Sequence, residues 1–396
     1  MIQAMKKRIY ITYKYRLDPT KEQQNFFAQF AGSVRFVFNK SLEKIKQAVD
    51  AGLKIPTYTD LTKRLPYMKA QEETAWLSTI HSQILQQGIK DLSEGVDAFF
   101  SQKKQKKSSR GFPKFKKKGQ RESFRYPQSI RCKDGKVYLP KIGWVRYRDS
   151  RPIEGVIKQA AVKLIGQHWY VCIACSIEIE VPEFHITEDT VLGIDVGIKN
   201  YISASDGMKI DNPSHLKHML EKLRHLSKSL SRKKKGSKNW FKMRAKIQRL
   251  HIRITNCRRD FLHKQSTVLT DNQGVRAICI ENLSIAGMVK NRKLARAISD
   301  ASWGTFYEFL KYKCEWRGKK FLKVDRFYPS SKLCSSCGNK QDMPLHVRVF
   351  DCTACGMKLD RDINASINIR SAGTSELISC GEIRAGGLNE AGIGSF

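Results

Sequence analysis

The stretch CSSCGNKQDMPLHVRVFDCTACG, residues 334 to 356, constrains the fold of this chain more than any other. Cys334 and Cys337 form one CxxC pair, Cys352 and Cys355 a second, and a glycine follows each pair. Two such knuckles bring four thiolates to tetrahedral zinc distance, and the turn after each pair suits glycine. The segment between the pairs, residues 338 to 351, is one residue short of the usual range for this pattern. All four positions are filled by protein and none is left for a substrate, so one structural Zn²⁺ in a ribbon is expected. Cys172 and Cys175 share the spacing but lie in an alternating strand pattern, where they face opposite sides; core packing accounts for them.

Charge narrows the function. With 73 Lys and Arg against 37 Asp and Glu, the formal net charge is +36. An excess of that size repels itself unless it meets a polyanion, which makes nucleic acid the leading partner. No run of eighteen apolar residues exists, so no membrane partner is expected. The opening MIQAMKKRIYITYKYRL alternates like a strand and lacks the apolar core of a signal peptide. The cysteines therefore read as cytoplasmic thiols or metal ligands.

The patterning changes several times along the 396 residues. A strand, KRIYITYKYRL, precedes a helix whose start is marked by the capping-box spacing of Thr20 and Gln23. Apolar residues recur at three and four through residues 20 to 101, which predicts a helical unit. A basic connector, SQKKQKKSSRGFPKFKKKGQ, follows, and residues 122 to 181 switch to short alternating runs separated by turn residues. Those runs argue for a small sheet or barrel, completed by the N-terminal strand and carrying the helical unit as an insertion.

After Pro182 the pattern is α/β. VLGIDVGIKNYISASDG reads as two strands and a tight turn, RAICIENL as a third strand and KKFLKVDRF as a fourth. Between the second and third lies a basic helical segment broken at Gly236, with Trp240 and Phe241 expected to pack or to stack on bases. SWGTFYEFLKYKCEW is a further helix with Ser302 as its expected N-cap. From about Ser371 the Gly- and Ser-rich sequence predicts a flexible tail.

Within this α/β region, acidic residues stand at matching places. Asp195 ends the first strand, Glu281 ends RAICIE, and LDRDINASINI carries Asp360 and Asp362 at a helix start. Carboxylates at strand ends and a helix start can converge on one edge of a sheet, where their mutual repulsion is relieved by a cation. Hard oxygen ligands of that kind suit Mg²⁺ or Mn²⁺.

Taken in order, GIDxG, IEN, the CxxC…CxxC ribbon and DRDxNA resemble the split RuvC-type nuclease domain of the TnpB proteins of insertion sequences, relatives of type V CRISPR effectors. KYRLDPTKEQ, SQILQQGIKDL, GFPKFKKK, DASWGTF and VDRFYPSSKLCSSCG resemble family segments as well, so the likeness covers most of the chain apart from the tail. Ser366 departs from the second Ala common in the family and leaves the carboxylates in place.

The resemblance implies a multidomain α+β architecture. Residues 1–19 and 102–181 would form a β-barrel wedge domain and 20–101 a helical recognition domain. Residues 182–330 and 357–372 would form an RNase H-like (RuvC) domain with a basic helical insertion at about 212–266, 331–356 the ribbon, and 373–396 the tail.

The implied activity is RNA-guided cleavage of double-stranded DNA beside a short adjacent motif. The guide RNA would derive from the element's own end, and the protein would act as a monomer. Asp195, Glu281 and Asp362 would bind two divalent ions about 3.5 to 4 Å apart, one activating water and one stabilising the leaving oxygen. The family pattern selects Asp362 over Asp360, because its acidic residue stands directly before the xNA step. Tyr58, Gln83 and Gln87 are candidates for reading the adjacent motif, and Lys114, Lys116, Arg232, Lys233, Lys234 and Lys235 for contacting backbone. A compact type V CRISPR effector, and a guided DNA-binding or transposition protein without cleavage, share most of these features.

Overall fold

The computed structural model describes residues 4–104, 111–182, 185–344 and 346–383. The chain divides into two compact units, one spanning Arg8–Glu178 and the other taking Ile179 onward with the residues before Arg8. Both mix helices with sheets.

In the first unit, β1 (Ala4–Arg16) leads into α1 (Lys21–Asp50). The expected capping box closes α1: Thr20 Oγ1 accepts the Gln23 N–H at 3.2 Å, and Gln23 Oε1 accepts the Thr20 N–H at 3.1 Å. Phe27, Phe30, Ala31, Val34, Val37 and Phe38 recur at three and four and give α1 one buried stripe. Next come α2 (Tyr58–Ala70), capped by Thr57 and Asp60 in the same way, and α3 (Ser82–Lys104). The strands are β2 (Ser123–Tyr126), β3 (Arg131–Lys133), β4 (Lys136–Leu139), β5 (Gly143–Arg146), β6 (Val156–Ile165) and β7 (His168–Pro182).

They form a four-stranded sheet in the order β1-β7-β6-β2 and a three-stranded sheet β3-β4-β5, with an antiparallel bridge between Leu17 and Tyr147. Helices and strands share one core here. Phe27 lies 5.2 Å from Trp169 and 5.8 Å from Phe124, centre to centre, and Phe30 lies 5.5 Å from Phe124. Cys175 is buried in that core and Cys172 half-buried, as alternation requires.

The second unit is built on a five-stranded sheet of β8 (Val191–Asp195), β9 (Asn200–Ala204), β10 (Lys209–Asp211), β11 (Ala277–Glu281) and β12 (Lys320–Val324). Its order is β10-β9-β8-β11-β12. β8, β11 and β12 run parallel, while β9 and β10 are antiparallel additions. β8 and β11 are buried on both faces, which is why LGI and AICI read as continuous apolar runs.

Between β10 and β11 stand α4 (His215–Ser231) and α5 (Lys238–Asp271), with the expected break at Gly236, whose φ is +86°. Trp240 is half-buried beneath the Arg244 guanidinium, whereas Phe241 is 53% exposed, so packing accounts for only one of the pair. After β11 come α6 (Ile285–Met288), α7 (Ala295–Ala301) and α8 (Trp303–Trp316). The helix α8 begins where expected, but Ser302 does not cap it with its side chain. Its φ is +53° and its Oγ donates back to Ser299 O at 2.9 Å.

α5 and α8 cover one face of the sheet through Leu262, Leu269, Trp303, Phe306 and Leu310. The ribbon strands β13 (Val349–Asp351) and β14 (Lys358–Asp360) precede α9 (Arg361–Ser379), which covers the other face.

α9 corrects the expected tail. Residues 373 to 379 are its last turns, and Leu377 and Ile383 are buried against Val191, Ala277 and Cys279. The glycine taken as a sign of flexibility is a packing glycine: a Cβ on Gly373 would stand 2.1 Å from Cys279 Sγ. The remaining tail, 384–396, lies outside the described residues, as does part of the basic connector, 105–110.

Candidate active site

Asp195 and Glu281 are placed by strand register. β8 and β11 pair in parallel with Ile194 opposite Ile280, so each acidic residue is the next one out on neighbouring strands at the same sheet edge. Asp362 comes to that edge from the first turn of α9. The helix can lie that close because β8 carries no side chain at Gly193, where a Cβ would stand 2.1 Å from Ser366 O and 2.5 Å from Arg370 N.

All three carboxylates line one cleft of about 910 Å³. Five cationic side chains line it too: Lys199, Lys332, Lys340, Arg348 and Arg361.

The electrostatics follow from this crowding. Burial, then the charges of Asp362 and Glu281, push the Asp195 carboxyl up to about 7; the Val196 N–H and Arg361 oppose the shift. Burial raises Glu281 as well. Asp362 Oδ2 accepts from Asn200 Nδ2 at 3.3 Å. Asp360 is used differently. Its Oδ1 accepts the Asp362 and Ile363 N–H groups at 3.0 and 3.2 Å as the N-cap of α9, and its Oδ2 pairs with Lys209 at 2.7 Å. Those bonds leave Asp360 committed to the helix start and the other three carboxylates facing the cleft.

The ribbon fits a tetrahedral ion as it stands. The ligand atoms of Cys334, Cys337, Cys352 and Cys355 all lie within 4.8 Å of one another, and no other group among the described residues comes that close. Cys334 Sγ is 3.7 Å from Cys355 Sγ, and Cys337 Sγ is 3.6 Å from Cys352 Sγ. Four sulfurs at roughly 2.3 Å from a central zinc stand about 3.8 Å apart.

Each knuckle repeats one backbone pattern. The Gly338 N–H donates to Cys334 O and the Gly356 N–H to Cys352 O, with φ of +73° and +69° at the two glycines. That left-handed turn is why glycine follows each pair. The acidic trio in the cleft offers carboxylate oxygens, hard donors of the kind Mg²⁺ prefers.

Sequence reasoning left out what joins ribbon and acidic cluster. Asn364 Nδ2 donates to Leu333 O at 2.7 Å, and Asn368 Nδ2 donates to Ser330 O and Leu333 O, both at 2.8 Å. The DRDxNA stretch and the asparagine four residues on thus dock α9 to the first knuckle. The signal was visible as two asparagines one helical turn apart on a face with Ile363 and Ile367.

The other candidates are scattered. Gln83 and Gln87 share one face of α3 and are half-buried, and Gln83 Oε1 is buried without a partner. Tyr58 opens α2 and packs against the core of its unit. Lys114 is exposed, whereas Lys116 is half-buried with its ammonium 3.8 Å from the Phe38 ring centre, and burial lowers its pKa. Arg232, Lys233, Lys234 and Lys235 are all exposed at the turn between α4 and α5.

Comparison with known proteins places this arrangement. Over 389 residues the chain is 35% identical to "Putative RNA-guided DNA endonuclease InsQ" of Escherichia coli, covering 94% of both chains. Residues 174–292 match the OrfB_IS605 family, described as "Probable transposase", and residues 303–369 match the "Cas12f1-like, TNB domain". The chain belongs to the TnpB family.

A second relative, "Putative RNA-guided DNA endonuclease" of Streptomyces pristinaespiralis, is 37% identical and covers 96% of this chain and 92% of its own. The TnpB family's "Helix-turn-helix domain" matches residues 1–54, where the described residues form β1 and α1. Among solved structures, the "mini-RNA-guided endonuclease CRISPR-Cas_phi3" aligns over 92% of each chain at a TM-score of 0.46 and 11% identity, too loosely to carry residue positions across.

Proposed function

We propose that this TnpB protein is an RNA-guided DNA endonuclease of a transposable element, cutting double-stranded target DNA next to a short motif. The observation that carries the reading is the convergence of Asp195, Glu281 and Asp362, from two strand ends and a helix start, on one cation-rimmed cleft. The activity named for the relatives supports it. The sheet order, with three parallel strands and two antiparallel additions, supports an RNase H-like (RuvC) nuclease domain. On this reading the two sheets of the first unit serve as the wedge barrel and α1 to α3 as the recognition helices.

Asp195, Glu281 and Asp362 would hold Mg²⁺ or Mn²⁺, which when bound supplies an activated water and charge stabilisation for the leaving 3′ oxygen. The protein's part is to hold three carboxylates at a fixed spacing and to present the substrate to them. Lys199, Lys332, Lys340, Arg348 and Arg361 draw a phosphodiester into the cleft and neutralise its charge. Asn200 orients Asp362. Products would carry a 5′ phosphate and a 3′ hydroxyl. The exposed cations at 232 to 235 would contact RNA or heteroduplex backbone, and Tyr58, Gln83 and Gln87 the adjacent motif. Structural Zn²⁺ on the four cysteines would hold the ribbon, and the protein would act as a monomer.

The deciding experiment is to purify the protein from cells carrying its flanking DNA and to sequence the nucleic acid that accompanies it. A single discrete RNA whose end matches sequence beside the gene is expected, and it supplies the guide for a cleavage assay. A heterogeneous mixture, or none, would falsify the guided reading.

A further inference from the structure

Phe327 is 86% exposed, more than any other large apolar side chain among the described residues, and it stands in the cleft that holds Asp195, Glu281 and Asp362. Its loop is not loose. Asp325 Oδ1 accepts the Phe327 N–H at 2.7 Å and Asp325 O accepts the Tyr328 N–H at 3.2 Å, a tight turn that lifts the ring outward. On one side, Arg326 Nε donates to Asn282 O at 3.2 Å, and the Asn282 N–H donates to Val324 O. That anchors the loop to the residue directly after Glu281. On the other side, Tyr328 packs against the core beneath α9, and Ser330 O accepts from Asn368. The ring is therefore held out to solvent by a turn braced on both the β11 end and α9, the two elements that carry Glu281 and Asp362.

Resting on the nuclease reading above, we infer that Phe327 is a stacking platform for a nucleobase of the strand being cut, next to the scissile phosphate. Among the described residues of its own unit nothing covers the ring, which leaves its face open to a partner from outside the chain. The surrounding Lys332, Lys340, Arg348 and Arg361 select a polyanion over an apolar peptide. Of the groups a DNA strand presents, bases alone offer a π face, and stacking on an aromatic ring tolerates any base. Phe327 would thus fix the strand's position along the cleft while the cations hold its phosphates, and it would do so without sequence preference.

The test uses the protein in complex with its guide RNA. Cleavage is measured as a function of DNA concentration for the wild type, Phe327→Ala and Phe327→Trp. Targets are intact or carry one abasic site, scanned through the nucleotides flanking each cut. Because the ring is exposed, its removal leaves the core untouched. Phe327→Ala should raise the DNA concentration for half-maximal cleavage roughly 5- to 150-fold, the usual worth of one stacked base, without weakening RNA binding. Phe327→Trp should restore it. At one flanking position an abasic site should impose the same loss on the wild type and no further loss on Phe327→Ala. If Phe327→Ala cuts as the wild type does, or if the two losses multiply at every position, the stacking inference fails alone. A wild-type complex that cuts nothing overturns the nuclease reading and this inference with it.

Discussion

Asn364 Oδ1 accepts the backbone N–H of Ser335 at 2.9 Å, so a fully buried side chain on α9 holds the middle of the first cysteine knuckle. Two residues earlier on the same helix is Asp362. The ribbon and the acidic cluster are therefore one mechanical unit. Whatever tilts the knuckle also moves the helix start that presents a carboxylate to the cleft.

Replacing Asn364 with Ala leaves the half-buried Ser335 N–H without its Asn364 acceptor, while Leu333 O keeps its bond from Asn368. A lost hydrogen bond to a half-buried donor costs about 1 kcal/mol. Asn364→Ala should lower the denaturant midpoint accordingly and slow cleavage, because α9 loses its fixed register against the ribbon. Asn364→Asp keeps the acceptor for Ser335 but buries a charge facing Leu333 O, and should be worse. An unfolding curve superimposable on that of the wild type would sink this account.

The acidic residues make a sharper contrast. Asp195→Ala, Glu281→Ala and Asp362→Ala each remove one hard ligand, worth several kcal/mol of charge stabilisation, so cleavage in Mg²⁺ should fall on the order of 10³-fold or more. RNA and target binding, measured by filter retention, should persist. Asp360→Ser retains an N-cap oxygen and should retain most of its cutting, because Asp360 serves the helix start and Lys209. If Asp360→Ser were as inactive as Asp362→Ala, the assignment between these neighbours would be reversed.

The ribbon's own core is Cys334, Phe350 and Cys352 with Met343 and Met357 packed against it, too few side chains to fold without a metal. Purified protein should contain one zinc per chain. Cys334→Ser, or prolonged treatment with a strong chelator, should unfold the ribbon and reduce soluble yield. Cys172→Ser should leave the zinc content unchanged. Metal analysis by mass spectrometry distinguishes these cases, and a zinc-free native protein would refute the ribbon assignment.

Much of this was legible in the sequence because the signals are local. Two CxxCG pairs specify a knuckle through ligand spacing and a left-handed glycine, and Thr20 with Gln23 specifies a helix start through two reciprocal bonds. Strand ends were legible too, since parallel strands buried on both faces give unbroken apolar runs that stop at Asp195 and Glu281.

What escaped was set by partners distant in sequence. Gly373 falls in a stretch that reads as a flexible tail and Gly193 in a strand, yet each is where a sulfur or a backbone comes too close for a Cβ. The last turns of α9 carry the largely polar sequence GTSELIS and are helical because the sheet covers them. Ser302 has a capping side chain but sits in the left-handed region, and its hydroxyl turns back to the preceding helix. No local rule distinguishes these cases, since each depends on what packs alongside.

The charge at Asp195 provides a measurement independent of cleavage. Its carboxyl rises from 3.8 to about 7 in the folded chain through burial and the charges of Asp362 and Glu281. A carboxyl whose folded pKa lies above its unfolded value binds more protons when folded across that interval. The stability of the metal-free protein should therefore fall as pH rises from about 4 to about 7, by up to roughly 4 kcal/mol from this group. Asp195→Asn removes the ionisation, so it should flatten that fall and raise the thermal midpoint at neutral pH while abolishing cutting. Added Mg²⁺ should raise the wild-type midpoint and leave Asp195→Asn nearly unmoved, because a cation relieves the same repulsion that the amide removes. Thermal unfolding at pH 5 and pH 7.5, with and without Mg²⁺, reads all four conditions. Equal pH dependence in the two proteins would mean that Asp195 does not carry the strain its surroundings imply.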